Sequence, residues 1–272
     1  MKFIVSVDEN NDFLSFIKPL IKYYKDINFD LDILILSENK KLIKKFNNFK
    51  NVYFFRPEES IDSGIQSKVL RHYYCCTLKN ETLVVTDADQ FILNISKLEN
   101  SIKEMKNIIG FGKNIFDNTD LDGKTPMAPY ITTPKLSREL LGINESTSFG
   151  NFLKILSQID IEIDGKESIN NKFENFSDES LFRLLKKINN VVFENVDIHL
   201  NLDGDRRIDR TDKWNIQNPN IGKYFWKRVY LNSKQKKDIT NKIYFDLCPP
   251  RPNPRFITSS ILKQATKVNK KL

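Results

Sequence analysis

The stretch Leu83-Val84-Val85-Thr86-Asp87-Ala88-Asp89-Gln90-Phe91-Ile92-Leu93 constrains this chain more than any other. Its short run of β-branched and apolar residues reads as a strand buried on both faces. The run meets two carboxylates spaced i, i+2. If the extended conformation continues, both side chains leave the same face. In open α/β sheets, ligands bind beyond the carboxyl ends of the strands. Two aspartates at such an end suit a hard divalent cation, with substrate phosphates completing its shell.

The residues before this stretch alternate between two periods. Lys2 to Val7 reads as a first buried strand ending at Asp8, Leu31 to Leu36 as a second followed by Ser37, and Val52 to Phe55 as a third stopped by Arg56-Pro57. Between them, Phe13 to Tyr24 carries apolar residues at helical spacing, with Pro19 inside the pattern, and Asn39 to Phe46 is helical. Ile65 to Leu78 is a helix leading into the aspartate strand. Strand–helix alternation of this kind predicts a parallel α/β sheet. Further on, Ile102 to Met105 reads as helix, Ile108 to Phe111 and Tyr130 to Thr133 as strands, and Ser137 to Leu141 and Phe149 to Ile159 as helices. Ser177 to Ile188 is an amphipathic helix and Val191 to Leu202 a strand. The prolines of Cys248-Pro-Pro-Arg-Pro-Asn-Pro-Arg255 forbid regular structure there. These patterns divide the chain into a domain over 1–202 and a C-terminal extension over 203–272, packed on the same domain.

At 272 residues, with 40% hydrophobic and 29% charged residues, the chain fits a soluble globular protein with a sizeable core. Its formal charge of +8 is compatible with nucleic acid, an anionic membrane surface or phosphorylated substrates. Three cysteines, two of them adjacent, form neither a disulfide framework nor a metal-site spacing. The N-terminal apolar run is short for a signal peptide, and no stretch approaches the ~18 apolar residues that cross a bilayer. A cytoplasmic location is expected, with peripheral membrane contact through the basic C-terminus.

Several groups are placed to do chemistry. Lys68, Arg71 and His72 fall at i, i+3, i+4 and share a helix face, beside the apolar stripe Ile65, Val69, Tyr73 and Cys76. That face either approaches an anion near the aspartates or is an ordinary solvated surface. Ser177 caps its helix, and Asp178 and Glu179 either favour the helix dipole or supply a general base. His199, one of two histidines, is either structural or a third ligand to the cation. Arg206, Arg207 and Arg210 lie on a charge-dense loop that either closes over a diphosphate or is solvated with internal ion pairs. Asn118-Thr119-Asp120-Leu121-Asp122-Gly123 begins like an EF-hand loop, but Pro129 stands where the bidentate Glu belongs. Walker, GxSxG and HExxH motifs are absent from the sequence.

Taken in order, these residues resemble a glycosyltransferase of the GT-A fold. Val84-Val85-Thr86-Asp87-Ala88-Asp89 resembles that family's DxD motif after a hydrophobic strand, and Ser67 to Tyr73 its preceding helix with a basic residue near the nucleotide. Phe3-Ile4-Val5-Ser6-Val7-Asp8 fits its first nucleotide-binding strand. Asp178-Glu179 and His199 stand where many members keep an acceptor-side acid and some a late metal-binding His. The likeness spans roughly residues 1–200. It implies a Rossmann-like, mostly parallel sheet flanked by helices, with an irregular or helical C-terminal extension. It implies a nucleoside-diphosphate sugar donor, a UDP-sugar first, with Mn2+ or Mg2+ on Asp87, Asp89 and His199. By the same likeness Ser6, Asp8, Ser37, Lys68, Arg71 and Asp87 meet the donor, and Arg206 and Arg207 of the charge-dense loop are added to them from the residues themselves. Asp178, or Glu179 after it, is the base an inverting enzyme requires. Inverting or retaining stereochemistry stays open. The acceptor is a glycan, lipid-linked glycan or protein, and nucleic acid is not an expected partner.

Two other classes compete. A HAD-type phosphatase also places DxD after a buried strand, with the first Asp as nucleophile, but Gln90-Phe91 follow here and the motif lies far from the N-terminus. A non-enzymatic basic module would bind nucleic acid or membrane in a salt-sensitive way that survives loss of both aspartates.

Overall fold

The computed structural model describes residues 1–59, 61–92, 95–103, 105–111, 129–158, 185, 188–196 and 244–246. The chain forms two compact units. The first comprises Met1–Glu9, Leu31–Thr86 and Met105–Asp197; the second comprises Asn10–Asp30, Asp87–Glu104 and Ile198–Leu272. In chain order the elements are β1 (Lys2–Val7), α1 (Asn11–Leu14), α2 (Ile17–Asp26), β2 (Asp30–Leu36), α3 (Lys40–Phe46), β3 (Val52–Phe55), α4 (Ser63–Thr77), β4 (Leu83–Val85) and β5 (Gln90–Ile92). They continue with α5 (Ile95–Ile102), β6 (Ile108–Phe111), β7 (Tyr130–Thr132), α6 (Pro134–Leu141), α7 (Phe149–Gln158), β8 (Phe193–Val196) and β9 (Tyr244–Asp246).

The first unit is built on a seven-stranded sheet of order β3-β2-β1-β4-β7-β6-β8. β2 and β3, β1 and β4, and β6 and β8 run parallel, whereas β7 is antiparallel to both β4 and β6. The expected α/β class and the mainly parallel pairing are present, with β7 as the exception. Strand order runs outward from β1 in one direction and jumps to β4 in the other. That reversal is the topological switch point of the sheet.

The continuous apolar runs explain the sheet's centre. Phe3, Ile4 and Val5 of β1 and Leu83, Val84 and Val85 of β4 are all fully buried, as strands covered on both faces require. Each such side chain contributes about 1.5–3 kcal/mol of burial. α4 packs on β1 and β4 and against α6 and α7. Its Val69, Leu70, Tyr73, Cys75 and Cys76 join Ile4, Leu34 and Leu36 of the sheet and Leu140, Phe152 and Leu156 of α6 and α7 in one core. Tyr73 stacks on Phe152 with ring centroids 5.8 Å apart. Burial pushes the Cys76 thiol up to about 12 and the Cys75 thiol well above its ordinary value, so both act as small apolar core residues.

Local signals set the helix ends. Asn10, Asn39, Asp62 and Thr133 each accept a backbone N–H as N-caps of α1, α3, α4 and α6. Pro134 opens α6, and Gly142 closes it at φ 64°, the left-handed conformation that suits glycine.

In the second unit, β5 pairs antiparallel with β9, Gln90 standing opposite Asp246, Phe91 opposite Phe245 and Ile92 opposite Tyr244. The Tyr23 hydroxyl of α2 donates to the Ile92 carbonyl at 2.6 Å. The single helix expected over Phe13–Tyr24 is two, because the chain breaks at Ser15–Phe16. Pro19 then falls in the first turn of α2, where its missing N–H is harmless. The helix expected at Ile102–Met105 lies earlier, as α5. Among the described residues no helix is long and apolar enough to cross a membrane.

Candidate functional site

The switch point places the C-terminal ends of β1 and β4 side by side. The ladder continues one residue past β4, where the Thr86 N–H donates to the Ile4 carbonyl at 3.0 Å. Asp8 follows β1 directly, and its carboxylate accepts from the Ser63 hydroxyl at the start of α4, at 3.3 Å. Ser6 is spent locally, its hydroxyl donating to the Ser67 carbonyl.

At the end of β2, buried Ser37 donates its hydroxyl to Glu9 at 2.6 Å and accepts the Asn39 N–H at 2.9 Å. The Asn39 amide reaches the other Glu9 oxygen at 3.4 Å. Glu9 was not singled out in the sequence, although it follows Asp8 immediately. Its exposed carboxylate is oriented by two neighbours at the ends of the parallel strands.

Arg71 and His72 do not form an outward basic face with Lys68. Arg71 is 3% exposed and His72 1%, whereas Lys68 is exposed. The guanidinium of Arg71 donates to the Thr86 carbonyl at 3.1 Å, and His72 Nδ1 lies 2.8 Å from the Tyr130 hydroxyl. Arg71 therefore clamps the last residue before the aspartates from inside the first unit. Two polar side chains turn inward on a helix because each finds a partner there that does not exist in the local sequence.

The aspartates belong to the second unit, whose middle segment opens at Asp87. The extended conformation does not continue through them. β4 ends at Val85, residues 88–89 form a turn, and β5 belongs to another ladder. The Gln90 N–H donates to the Asp87 carbonyl at 3.1 Å, closing the turn over residues 87–90. The two carboxylates are thus presented by a tight turn rather than by one face of a strand. Asp89 is 5% exposed and Asp87 is half-buried. The β5–β9 register brings Asp246 opposite Gln90, next in sequence to Asp89. No local pattern announces this strand pairing, because it joins distant parts of the chain.

Two carboxylates in one turn supply hard oxygen donors of the kind Mn2+ and Mg2+ take, but they fill only part of an octahedral shell. Among the described residues no group of three or more His, Cys, Asp and Glu side chains is gathered to hold an ion. The two carboxylates fit a cation that takes its remaining donors from water, substrate phosphate or residues outside the described ones. Asp178, Glu179, His199, Arg206 and Arg207 lie outside the described residues, as does the EF-hand-like segment Asn118–Gly123.

No family model matches the chain, and no curated protein matches it. Solved structures do. The galactosyltransferase LgtC, solved in complex with donor and acceptor sugar analogs, is 11% identical, with 100% of this chain and 96% of that one covered and a TM-score of 0.47. The glycosyltransferase GlyE of Streptococcus pneumoniae TIGR4 is 10% identical, over 98% of this chain and 59% of that one, with a TM-score of 0.43. A glycosyltransferase involved in the glycosylation of the major capsid of PBCV-1 is 8% identical, over 99% and 98%, with a TM-score of 0.44. These similarities are slight, and the functional reading rests on the residues of this chain.

Proposed function

We propose that the chain is a metal-dependent glycosyltransferase that moves a sugar from a nucleoside-diphosphate sugar, a UDP-sugar first, to a carbohydrate or glycoconjugate acceptor. One observation carries this reading. A buried aspartate turn follows directly on β4, the strand beside β1 at the switch point of an α/β sheet. Asp87 and Asp89 hold Mn2+ or Mg2+ through their carboxylates, with His199 as a third protein donor. When bound, the cation neutralises the charge of the diphosphate leaving group as a Lewis acid.

The remaining roles belong to the protein. Asp8, Glu9 and Ser37 receive the nucleoside at the ends of β1 and β2, where their hydrogen bonds already orient them. Arg71 fixes the Thr86 carbonyl, at the last residue before the aspartates. Lys68, Arg206 and Arg207 add positive charge toward the diphosphate. Asp178, or Glu179, takes the proton from the acceptor hydroxyl if the reaction inverts.

The test is slow donor hydrolysis across a panel of nucleotide sugars with Mn2+ or Mg2+. Release of nucleoside diphosphate from at least one donor, lost in Asp89→Asn, is expected. Turnover of phosphomonoesters with no release from any nucleotide sugar would support the phosphatase instead and overturn the proposal.

A further inference from the structure

We propose that Gln90 is a positioning residue for the carboxylate pair, holding the 87–90 turn in the shape that presents Asp87 and Asp89 to a divalent cation. The inference rests on the cation-site reading above.

Gln90 engages Asp87 twice. Its N–H donates to the Asp87 carbonyl at 3.1 Å, and its side-chain Oε1 accepts the Asp87 N–H at 3.4 Å. Both backbone polar groups of Asp87 are thereby directed to one residue. No glycine or proline lies between Thr86 and Gln90, so the turn is formed by the aspartates together with these bonds from Gln90. Gln90 is 3% exposed, and an apolar side chain would satisfy that burial equally well. A buried amide is retained where its hydrogen bonds are used. Gln90 is also the first residue of β5, so it ties the turn to the β5–β9 ladder. Residues that orient metal ligands without touching the ion are worth about 10–100-fold in metal affinity.

The experiment titrates Mn2+ into the full chain at saturating UDP and follows the electron paramagnetic resonance signals of free and bound Mn2+. Gln90→Met keeps length and burial but removes the acceptor. Gln90→Glu keeps an acceptor oxygen. Met is expected to weaken Mn2+ binding about tenfold and to change the bound-ion spectrum, with little change in Tm. Glu is expected to bind within about threefold of the wild type, or tighter. Wild-type affinity in the Met variant would overturn the proposal. So would a Glu variant about tenfold weaker than the wild type, a result that decides the matter even if Met does not fold. A wild type that takes up no Mn2+ would instead remove the cation site itself.

Discussion

Gln66 should anchor the loop between β3 and α4, and its removal should be felt across the first unit. Its side chain is fully buried on α4. Its Oε1 accepts the Glu58 N–H at 2.9 Å, and its amide donates to the Glu58 and Ile61 carbonyls at 2.7 Å each. The same loop leads to Ser63, the partner of Asp8. Each hydrogen bond contributes about 1 kcal/mol net. The three share one loop that water can reach once the anchor is gone, so Gln66→Ala should cost roughly 2–3 kcal/mol. Gln66→Glu is more informative. It keeps the acceptor for Glu58 N–H but sets carboxylate oxygen against two carbonyls. That repulsion should raise its folded pKa above the unfolded value of about 4.3. The stability this group supplies is then fully present below that value and lost as pH rises through the folded pKa. Gln66→Glu should lie nearest the wild type near pH 4 and fall away toward neutrality. Urea unfolding followed by circular dichroism at several pH values reads both effects. An alanine variant within about 0.5 kcal/mol of the wild type, or a Glu variant with a pH-independent deficit, would refute the reasoning.

Three further outcomes are expected. Lys2→Met strips the buried Asp32 of its 3.3 Å ammonium partner, leaving the Tyr74 hydroxyl at 3.1 Å. Burial already holds the Asp32 carboxyl above its ordinary value, against the pull of Lys2. The loss should be roughly 1–3 kcal/mol at neutral pH and should shrink as pH falls and Asp32 takes up a proton, which pH-dependent urea midpoints would show. Gly142→Ala forces a Cβ into the left-handed region, 3.3 Å from Asn189 Oδ1, and should cost about 1 kcal/mol in thermal unfolding. Glu9→Gln should weaken UDP binding several-fold in calorimetry while leaving Tm unchanged, because the Glu9 side chain is exposed.

How far the sequence announced this fold depends on which bonds are local. β1, β2 and β3 are short apolar runs bounded by polar residues, and the expected strands match them to within a residue. α4 matches because Asp62 supplies a cap and the apolar period is unbroken. The break after Val85 was not legible. Thr86 to Leu93 contains no glycine or proline, and the apolar run resumes at Phe91 as if one strand continued. The turn comes from aspartates and from Gln90, whose partners are its neighbours only once the chain has turned. The burial of Arg71 and His72 was hidden for a related reason. Their partners, the Thr86 carbonyl and the Tyr130 hydroxyl, arrive from other strands, so helical periodicity alone turned both side chains outward. Of the candidate site, Asp87, Asp89, Asp8 and Ser37 could be chosen from strand ends alone. Glu9 needed the hydrogen bonds of Ser37 and Asn39 to stand out.

The central claim is that the Asp87–Asp89 turn anchors a nucleoside diphosphate through a divalent cation. Calorimetric titration of UDP into the full chain, with Mn2+ and with chelator, tests it most directly, using wild type and Asp89→Asn. The account predicts UDP binding by the wild type with Mn2+ only, weakened about tenfold or more by the substitution. Equal binding by both proteins, with or without the cation, would contradict it.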